Sequence, residues 1–529
     1  MTKSPRSAIV IGGGISGLAS AALMAKSGIK VTLLEGLEGL GGRARLWEVD
    51  GFKFDMGPSW YLMPEAFEQF FKLMGTSAER ELNLHRLSPA YQCFYQGEPE
   101  PVVISEQLNE VVNTFESLEP GAGSKLKTYL DSAEETYDLA MRHFLYTNFQ
   151  NTKSFTNREV LSRAGKFLAH LLRPLASFSG RHFKNEKLRK ILNFPAVFLG
   201  ASPYRTPSMY HLMTHVDFNV GVFYPMGGMF TIIQAIERLA REHGVDIRLN
   251  SPVTKILHAD GKAIGVQVGG RQLLADVVVA SADLHHVETE LLDDEATALP
   301  EHWWSKREPG PSALLLYLGV RGKIPQLTHH TLLNTADWKG NFDKVFKRAD
   351  GRSEVPNPAS LYICAPSVTD PSVAPEGHEN LFVLVPIAPD PSLGSGGINR
   401  EGDSAIEAAA DQIIEQIADW VQIPDLADRI VVRRTMAAND FASELNAWSG
   451  TALGMAHTLM QSAFFRPANQ SKKLKNLFYV GHNTIPGIGL PMCLIGAELV
   501  IKHLTGDKST GPLADELLPL PESAWVGIR

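Results

Sequence analysis

An α/β fold follows from the first sixty residues of this sequence and from two later returns of the same strand-to-helix pattern. Ser7-Ala8-Ile9-Val10-Ile11 reads as a buried strand and runs directly into Gly12-Gly13-Gly14-Ile15-Ser16-Gly17. Residues 18–27 read as a helix, and residues 30–34 as a second strand ending on Glu35. A G-x-G-x-x-G turn between strand and helix, with an acid closing the next strand, is the Rossmann-like arrangement for a dinucleotide. Gly12, Gly14 and Gly17 let the backbone turn tightly and approach a pyrophosphate. The helix start adds free N–H groups and a partial positive charge. Glu35 can accept hydrogen bonds from both hydroxyls of an adenosine ribose and would repel a 2′-phosphate. The pattern therefore fits FAD or NAD rather than NADP.

Next along the chain come Gly41-Gly42-Arg43-Ala44 and Gly51-Phe52-Lys53-Phe54-Asp55-Met56-Gly57-Pro58. Alone, a G-x-G-x-x-G is a weak sign. The ordered composite of glycine turn, acid, Gly-Gly-Arg and Phe-x-Asp-x-Gly resembles the FAD-binding end of the amine-oxidase and carotenoid-desaturase flavoproteins. That resemblance implies FAD, with Gly42 and Arg43 along its pyrophosphate and isoalloxazine side and Gly57 and Pro58 beside it. The alternative is an NAD-binding domain whose later glycines are ordinary turns.

At 529 residues the chain exceeds one compact core, so two or three domains are expected. Hydrophobic residues at 44% and charged residues at 20% fit a folded protein and argue against disorder. A net charge of -8 gives no reason to expect a nucleic-acid partner. Cys93, Cys364 and Cys493 lie far apart without a C-x-x-C, so neither a disulfide framework nor a zinc cluster is implied, and a reducing cytoplasm fits. The first apolar run is the glycine-bearing strand, so no signal peptide is expected. No stretch approaches the roughly 20 apolar residues of a membrane span.

Residues 120–215 read as mostly helical. Within them, Arg163, Lys166, Arg173, Arg181, Lys184, Lys187, Arg189 and Lys190 face only Glu186, interleaved with phenylalanines and leucines. Such a segment in an acidic protein fits adsorption to an anionic lipid surface, or else a helix with a solvated basic face. Pro174 forbids one long helix here. The first return begins at Phe223-Tyr224-Pro225-Met226-Gly227-Gly228-Met229, followed by a helix over 230–243 and a strand at 244–248. Strands then alternate around turns at Asp260-Gly261 and Gly269-Gly270, before a strand at 275–283 that ends in small residues. Residues 312–320, 361–365 and 381–386 read as strands, 392–402 as a loop and 404–420 as an amphipathic helix. The second return is Leu477-Phe478-Tyr479-Val480-Gly481, then Pro486-Gly487-Ile488-Gly489-Leu490-Pro491-Met492 and a helix through 504. The Pro-rich tail, 505–529, reads as extended.

Along nearly its whole length the chain resembles phytoene desaturases of the bacterial and fungal type. The residues that carry this are the N-terminal block and Val222-Phe223-Tyr224-Pro225-Met226-Gly227-Gly228, the run from Ala365 through Asp370 to Gly377, and Gln461 through Arg466-Pro467. The final Asn476-to-Gly481 and Pro486-to-Pro491 runs complete the set. The resemblance implies a Rossmann-like FAD-binding domain of the amine-oxidase and GDP-dissociation-inhibitor type, an α+β substrate domain and a helical membrane-associating region. It assigns 1–90, 223–300 and 470–529 to the first domain and 91–222 and 301–469 to the second. It also implies that the Val253 backbone faces the adenine and that Gly481, Gly489 and Met492 lie on the flavin side. One departure stands out: where these enzymes often read Gly-Ala-Gly-Thr-His-Pro-Gly, this chain has Gly481-His482-Asn483-Thr484-Ile485-Pro486-Gly487.

The implied reaction removes two hydrogens from a C–C bond beside a polyene. No protein acid or base attacks such a C–H bond, so a hydride goes to the flavin and the neighbouring carbon loses a proton. An apolar tunnel must exclude water from the allylic cation. Trp60, Tyr61, Phe67, Phe70, Phe71, Phe144, Phe198, Phe218, Phe223 and Trp448 are its candidate lining, each also an ordinary core residue by type. The catalytic residue is not identified. His482 is a candidate proton acceptor or a structural hydrogen-bonding residue, and Asp55 reads as fixing its loop. His285-His286 and His329-His330 lack metal-ligand spacing, so no metal is expected. The expected partners are a phytoene-like carotenoid, a lipid surface and oxygen or a quinone as electron acceptor, with the protein peripheral on the cytoplasmic side of the membrane. The other readings are a late-acting 3,4-desaturase, a carotenoid cis–trans isomerase, a flavin amine or porphyrinogen oxidase, and a non-catalytic isoprenoid-lipid carrier.

Overall fold

The computed structural model describes residues 7–151, 153–346 and 353–521. Five parallel strands form its nucleotide-side sheet, in the order Leu477–Tyr479, Val277–Ala280, Ser7–Ile11, Lys30–Leu34, Asp246–Arg248. Ser7–Ile11 is paired on both edges, as its unbroken apolar run requires. The helix after it, Ile15–Lys26, is buried at every position except Lys26. Its glycines, alanines and serines leave room for helices Phe230–Glu242 and Leu490–Thr505, which pack against it.

A three-stranded antiparallel meander, Val253–Ala259, Lys262–Val268 and Arg271–Leu274, lies beside this sheet. Both residues of each connecting turn have positive φ: Asp260 at 51° and Gly261 at 70°, Gly269 at 54° and Gly270 at 73°. These are the hairpin turns that the two dipeptides predict.

The second large sheet has seven strands, in the order Ile430–Met436, Ser312–Arg321, His378–Ile387, Leu361–Cys364, His330–Asn334, Tyr91–Tyr95, Glu98–Ile104. Only the pair His330–Asn334 and Tyr91–Tyr95 is parallel. Ser312–Arg321 is buried at every position except Arg321, because helix Ser404–Trp420 covers one face and an aromatic layer covers the other.

Residues 108–220 are largely helical. Pro174 caps Leu175–His182 and separates it from Ala164–Leu172. The basic stretch is not one cationic face. Arg163 and Lys166 both pair with Glu135, Lys187 pairs with Glu98, Arg189 with Glu186, and Lys190 donates to the Thr335 carbonyl at 2.9 Å. The acids that neutralise it come mostly from distant segments, which its local composition does not show. Among the described residues, no helix is long and apolar enough to cross a membrane. The tail is extended through residue 521 and held by Leu517 N–H on the Leu73 carbonyl at 3.0 Å and Leu520 N–H on the Ser27 carbonyl at 3.1 Å. The remainder of the predicted extended tail, 522–529, lies outside the described residues.

Candidate functional site

One cavity of about 870 Å³ runs from the C-terminal edge of the parallel sheet to the seven-stranded sheet. Ile11, Leu34, Ser281 and Gly481, at or just past the ends of four parallel strands, open onto it. Ligands of open α/β sheets collect at this edge. Gly12, Gly14, Glu35, Gly42, Arg43, Gly57, Pro58, Val253, Gly481, Gly489 and Met492 all line the cavity.

Gly17 does not. A methyl group there would sit 2.0 Å from the Gly12 carbonyl oxygen and 2.9 Å from the Ser281 side chain. Its place in the motif is to let helix Ile15–Lys26 lie against the strand ends, so it shapes the site without facing it.

The acid and the turn are joined. Glu35 Oε2 accepts the Gly13 N–H at 2.5 Å and Oε1 accepts the Leu37 N–H at 2.9 Å. Each carboxylate oxygen can accept a second bond, so the acid keeps capacity for a ribose diol. No side chain caps the start of Ile15–Lys26, and its first turn holds no acid. A methyl group at Gly14 would meet nothing closer than 4.0 Å, so the backbone here is open to a ligand. A second long helix, Leu490–Thr505, also begins at the cavity without a side-chain cap. Two positive helix ends, an acid with spare acceptors and an open glycine turn fit a flavin dinucleotide.

Arg43 Nε donates to the Ala452 carbonyl at 2.8 Å and Nη2 to the Thr451 carbonyl at 3.2 Å, tying the 451–452 loop to the cradle. Burial lowers its pKa, and the nearby Asp283 charge opposes that. Burial alone would raise Asp283, but contacts to His482 and the Arg43 charge outweigh it and hold this acid below its ordinary range. His482 lines the cavity with Nε2 3.4 Å from Asp283 Oδ2. Burial pushes it down to about 4, the Arg43 charge acting the same way and Asp283 opposing, so it is neutral at physiological pH. Asp55 does fix its loop. It accepts the N–H groups of Met229 and Phe230 at 2.7 and 2.9 Å, where helix Phe230–Glu242 begins.

Beyond the cradle the cavity is apolar. Trp60, Phe144 and Phe198 line it as the sequence predicts, whereas Tyr61, Phe67, Phe70, Phe71, Phe218, Phe223 and Trp448 do not. Phe67, Phe70 and Phe71 turn into the core below helix Ile15–Lys26, and Phe218 packs on Phe115. Sequence reasoning missed Phe149, Phe167, Tyr210, Phe342 and His457, which also line the cavity. Nothing in their local sequence separates them from core residues.

The two adjacent histidines of 329–330 have a neighbour that spacing did not reveal. Cys364 is the cross-strand partner of His330, and the donor atoms of His329, His330 and Cys364 lie within 4.8 Å of one another. Bonds of about 2.0–2.3 Å would need tetrahedral edges of about 3.3–3.8 Å. His330 is instead held by stacking on Trp60 at 4.2 Å and by a hydrogen bond to the Tyr362 hydroxyl at 2.7 Å. We assign no metal to this cluster.

Residues 15–499 match the family of flavin containing amine oxidoreductases. The chain is 40% identical to a carotenoid 3,4-desaturase of Haloarcula japonica, over 94% of this chain and 98% of that one. It is 36% identical to a zeta-carotene-forming phytoene desaturase of Myxococcus xanthus, over 94% of each chain. It is also similar to a solved oxidoreductase of Methanosarcina mazei, with a TM-score of 0.58 at 19% identity, over 94% of this chain and all of that one. That last likeness is one of fold.

Proposed function

The chain belongs to the flavin containing amine oxidoreductases and, among them, to the carotenoid desaturases, and from that premise we propose that it forms double bonds in phytoene to give lycopene-type products. It is an FAD-dependent oxidoreductase acting on CH–CH bonds. The observation that carries the substrate reading is the cavity itself, in which a dinucleotide cradle continues without a break into a long apolar arm.

Bound FAD supplies the hydride acceptor. The chain's own residues do the rest. The N–H groups at the start of Ile15–Lys26 would hold the pyrophosphate, and Glu35 the ribose. Arg43 and the start of Leu490–Thr505 bring positive charge to the far end of the cradle. Trp60, Phe198 and Tyr362 wall the arm, so a polyene lies in it stripped of water. Dry walls leave a developing cation no water to trap it.

A lipid surface is the proposed source of the substrate. Helix Ala164–Leu172 turns Phe167 and Leu171 into the cavity while Leu168 and Leu172 stand 53% and 64% exposed on its outer side. Met460, 60% exposed, and the half-open Phe464 and Phe465 continue this patch, joined to it by Phe155 against Phe464 at 5.2 Å. An apolar outer face at a cavity mouth is costly in water and favourable in a bilayer. Arg173, Arg181 and Lys184 form no ion pair among the described residues and suit anionic headgroups. We place the protein on the cytoplasmic face of the membrane, as a peripheral protein that returns its electrons to oxygen or a quinone.

Anaerobic incubation of the FAD-loaded protein with phytoene in liposomes tests the reading. Loss of the oxidised flavin band with new conjugated products supports it; oxidised flavin over unchanged phytoene rejects phytoene. The 40% identity to a carotenoid 3,4-desaturase favours a second reading, a late-acting desaturase. The same assay with single, already conjugated acyclic carotenoids separates the two.

A further inference from the structure

Removing a hydride leaves half of the reaction undone, because the neighbouring carbon must still lose a proton. The turn beside the cradle, Gly481 to Gly487, carries one imidazole of its own, that of His482. In space, another imidazole reaches this turn. His457, from the loop after Trp448, lines the cavity, and a methyl group at Gly487 would sit 2.6 Å from its Nε2. Gly487 leads through Ile488 and Gly489 into the helix that begins at the cradle, while Leu199 and Tyr210 line the apolar arm around the same ring. Tyr210 meets it edge-on at 5.6 Å. His457 therefore stands where the cradle and the arm join.

Its tautomer is decided by its neighbour. Nδ1 lies 2.9 Å from the Leu199 carbonyl oxygen, which can only accept. In the neutral ring the proton is therefore on Nδ1, and Nε2 carries a bare lone pair. Burial, with the Arg466 charge acting in the same direction, keeps the ring neutral. The loop is also held firmly. Arg466 donates to the carbonyls of Met455 at 3.3 Å, Gln461 at 2.9 Å, Thr484 at 3.3 Å and His482, clamping the His457 loop onto the turn. His482, by contrast, aims Nε2 at Asp283 on the nucleotide side.

We propose that His457 is the base that takes the proton. As the hydride leaves one carbon with its electron pair for the flavin, the allylic cation makes the adjacent C–H strongly acidic. That proton passes to His457 Nε2, the C–H pair becomes the new π bond, and the imidazolium returns the proton to water after product leaves. A weak base suffices, because a proton beside a carbocation is far more acidic than imidazolium. This inference rests on the desaturase reading above.

The test compares wild type with His457→Gln, which can still donate to the Leu199 carbonyl, and with His457→Ala. Single-turnover conversion of a carotenoid the wild type accepts should fall about 100-fold or more in both, with carotenoid binding and flavin content unchanged. Added imidazole should restore part of the rate in His457→Ala only. Independently of turnover, 15N spectra of histidine-labelled, flavin-free protein should show His457 as the neutral Nδ1–H tautomer. Variants within about threefold of an active wild type, or an Nε2–H tautomer, overturn the inference alone. A wild type that converts no carotenoid overturns the functional reading and this inference with it.

Discussion

Glu35 Oε2 accepts the Gly13 backbone N–H at 2.5 Å, so the acid closing the second strand also braces the glycine turn from which the first helix starts. Glu35→Ala removes this brace and both carboxylate oxygens proposed to hold the ribose. A charge-assisted hydrogen bond contributes about 1.5–3 kcal/mol, which predicts a flavin dissociation constant raised about 10- to 100-fold. Titration of the flavin-free protein, followed by quenching of flavin fluorescence, checks this. Unchanged affinity would remove Glu35 from the cradle.

Gly14 and Gly17 separate ligand contact from packing. A methyl group at Gly17 would sit 2.0 Å from the Gly12 carbonyl oxygen, whereas at Gly14 its nearest neighbour would be the Gly41 carbonyl oxygen at 4.0 Å. Gly17→Ala should cost about 1–3 kcal/mol of stability, the usual range for overpacking. Gly14→Ala should keep the melting temperature of the flavin-free protein yet bind flavin more weakly. Thermal denaturation of both flavin-free variants distinguishes the positions; equal melting temperatures would contradict the geometry.

Asp217 predicts a pH effect on stability. It is buried, accepts the Tyr91 hydroxyl at 2.8 Å and leaves Oδ1 without a partner. Burial pushes its pKa up to about 7. A carboxyl raised in the folded state binds its proton more tightly there than when unfolded. Its stabilising contribution is therefore full below the unfolded value near 3.9 and is lost as pH rises through about 7. A shift of about three units corresponds to about 4 kcal/mol at most. Asp217→Asn should lose less stability than wild type between about pH 4 and about pH 8 in denaturant titrations. Parallel losses would show that this acid does not titrate in that window.

Leu172 and Met460 test the proposed lipid contact, since both are largely exposed and their chain neighbours Leu171 and Leu459 line the cavity. Leu172→Glu combined with Met460→Glu should cut binding to anionic vesicles at least about tenfold, taking about 1.5 kcal/mol for each apolar side chain lost from the bilayer. Flavin content should not change. Flotation of the double variant at the wild-type level would move the docking face elsewhere.

The cradle was legible because its signals are local. The turn after Ile11, the acid closing the second strand and the hairpins at Asp260-Gly261 and Gly269-Gly270 depend on conformations that a few adjacent residues impose. The apolar arm was not. Trp60 and Tyr61 are neighbours of similar type, yet Trp60 lines the cavity and Tyr61 stacks on Phe67 at 4.1 Å in the core. The pairing of the basic stretch was not legible either, because Glu98 and Glu135, which neutralise three of its cations, lie outside it in the chain.

By itself the sequence determined the α/β class, the flavin dinucleotide and the family, since each rests on short motifs whose backbone geometry and hydrogen-bonding groups are set within a few residues. Which aromatic rings wall the cavity, that Gly17 packs on the strand ends without lining it, and that His457 sets Nδ1 on the Leu199 carbonyl with Nε2 beside Gly487 emerge only in three dimensions. Those facts depend on segments far apart in the chain, such as Leu199, His457 and Gly487, being brought together by burial. Burial acts on total apolar area and leaves no local pattern in the sequence to read.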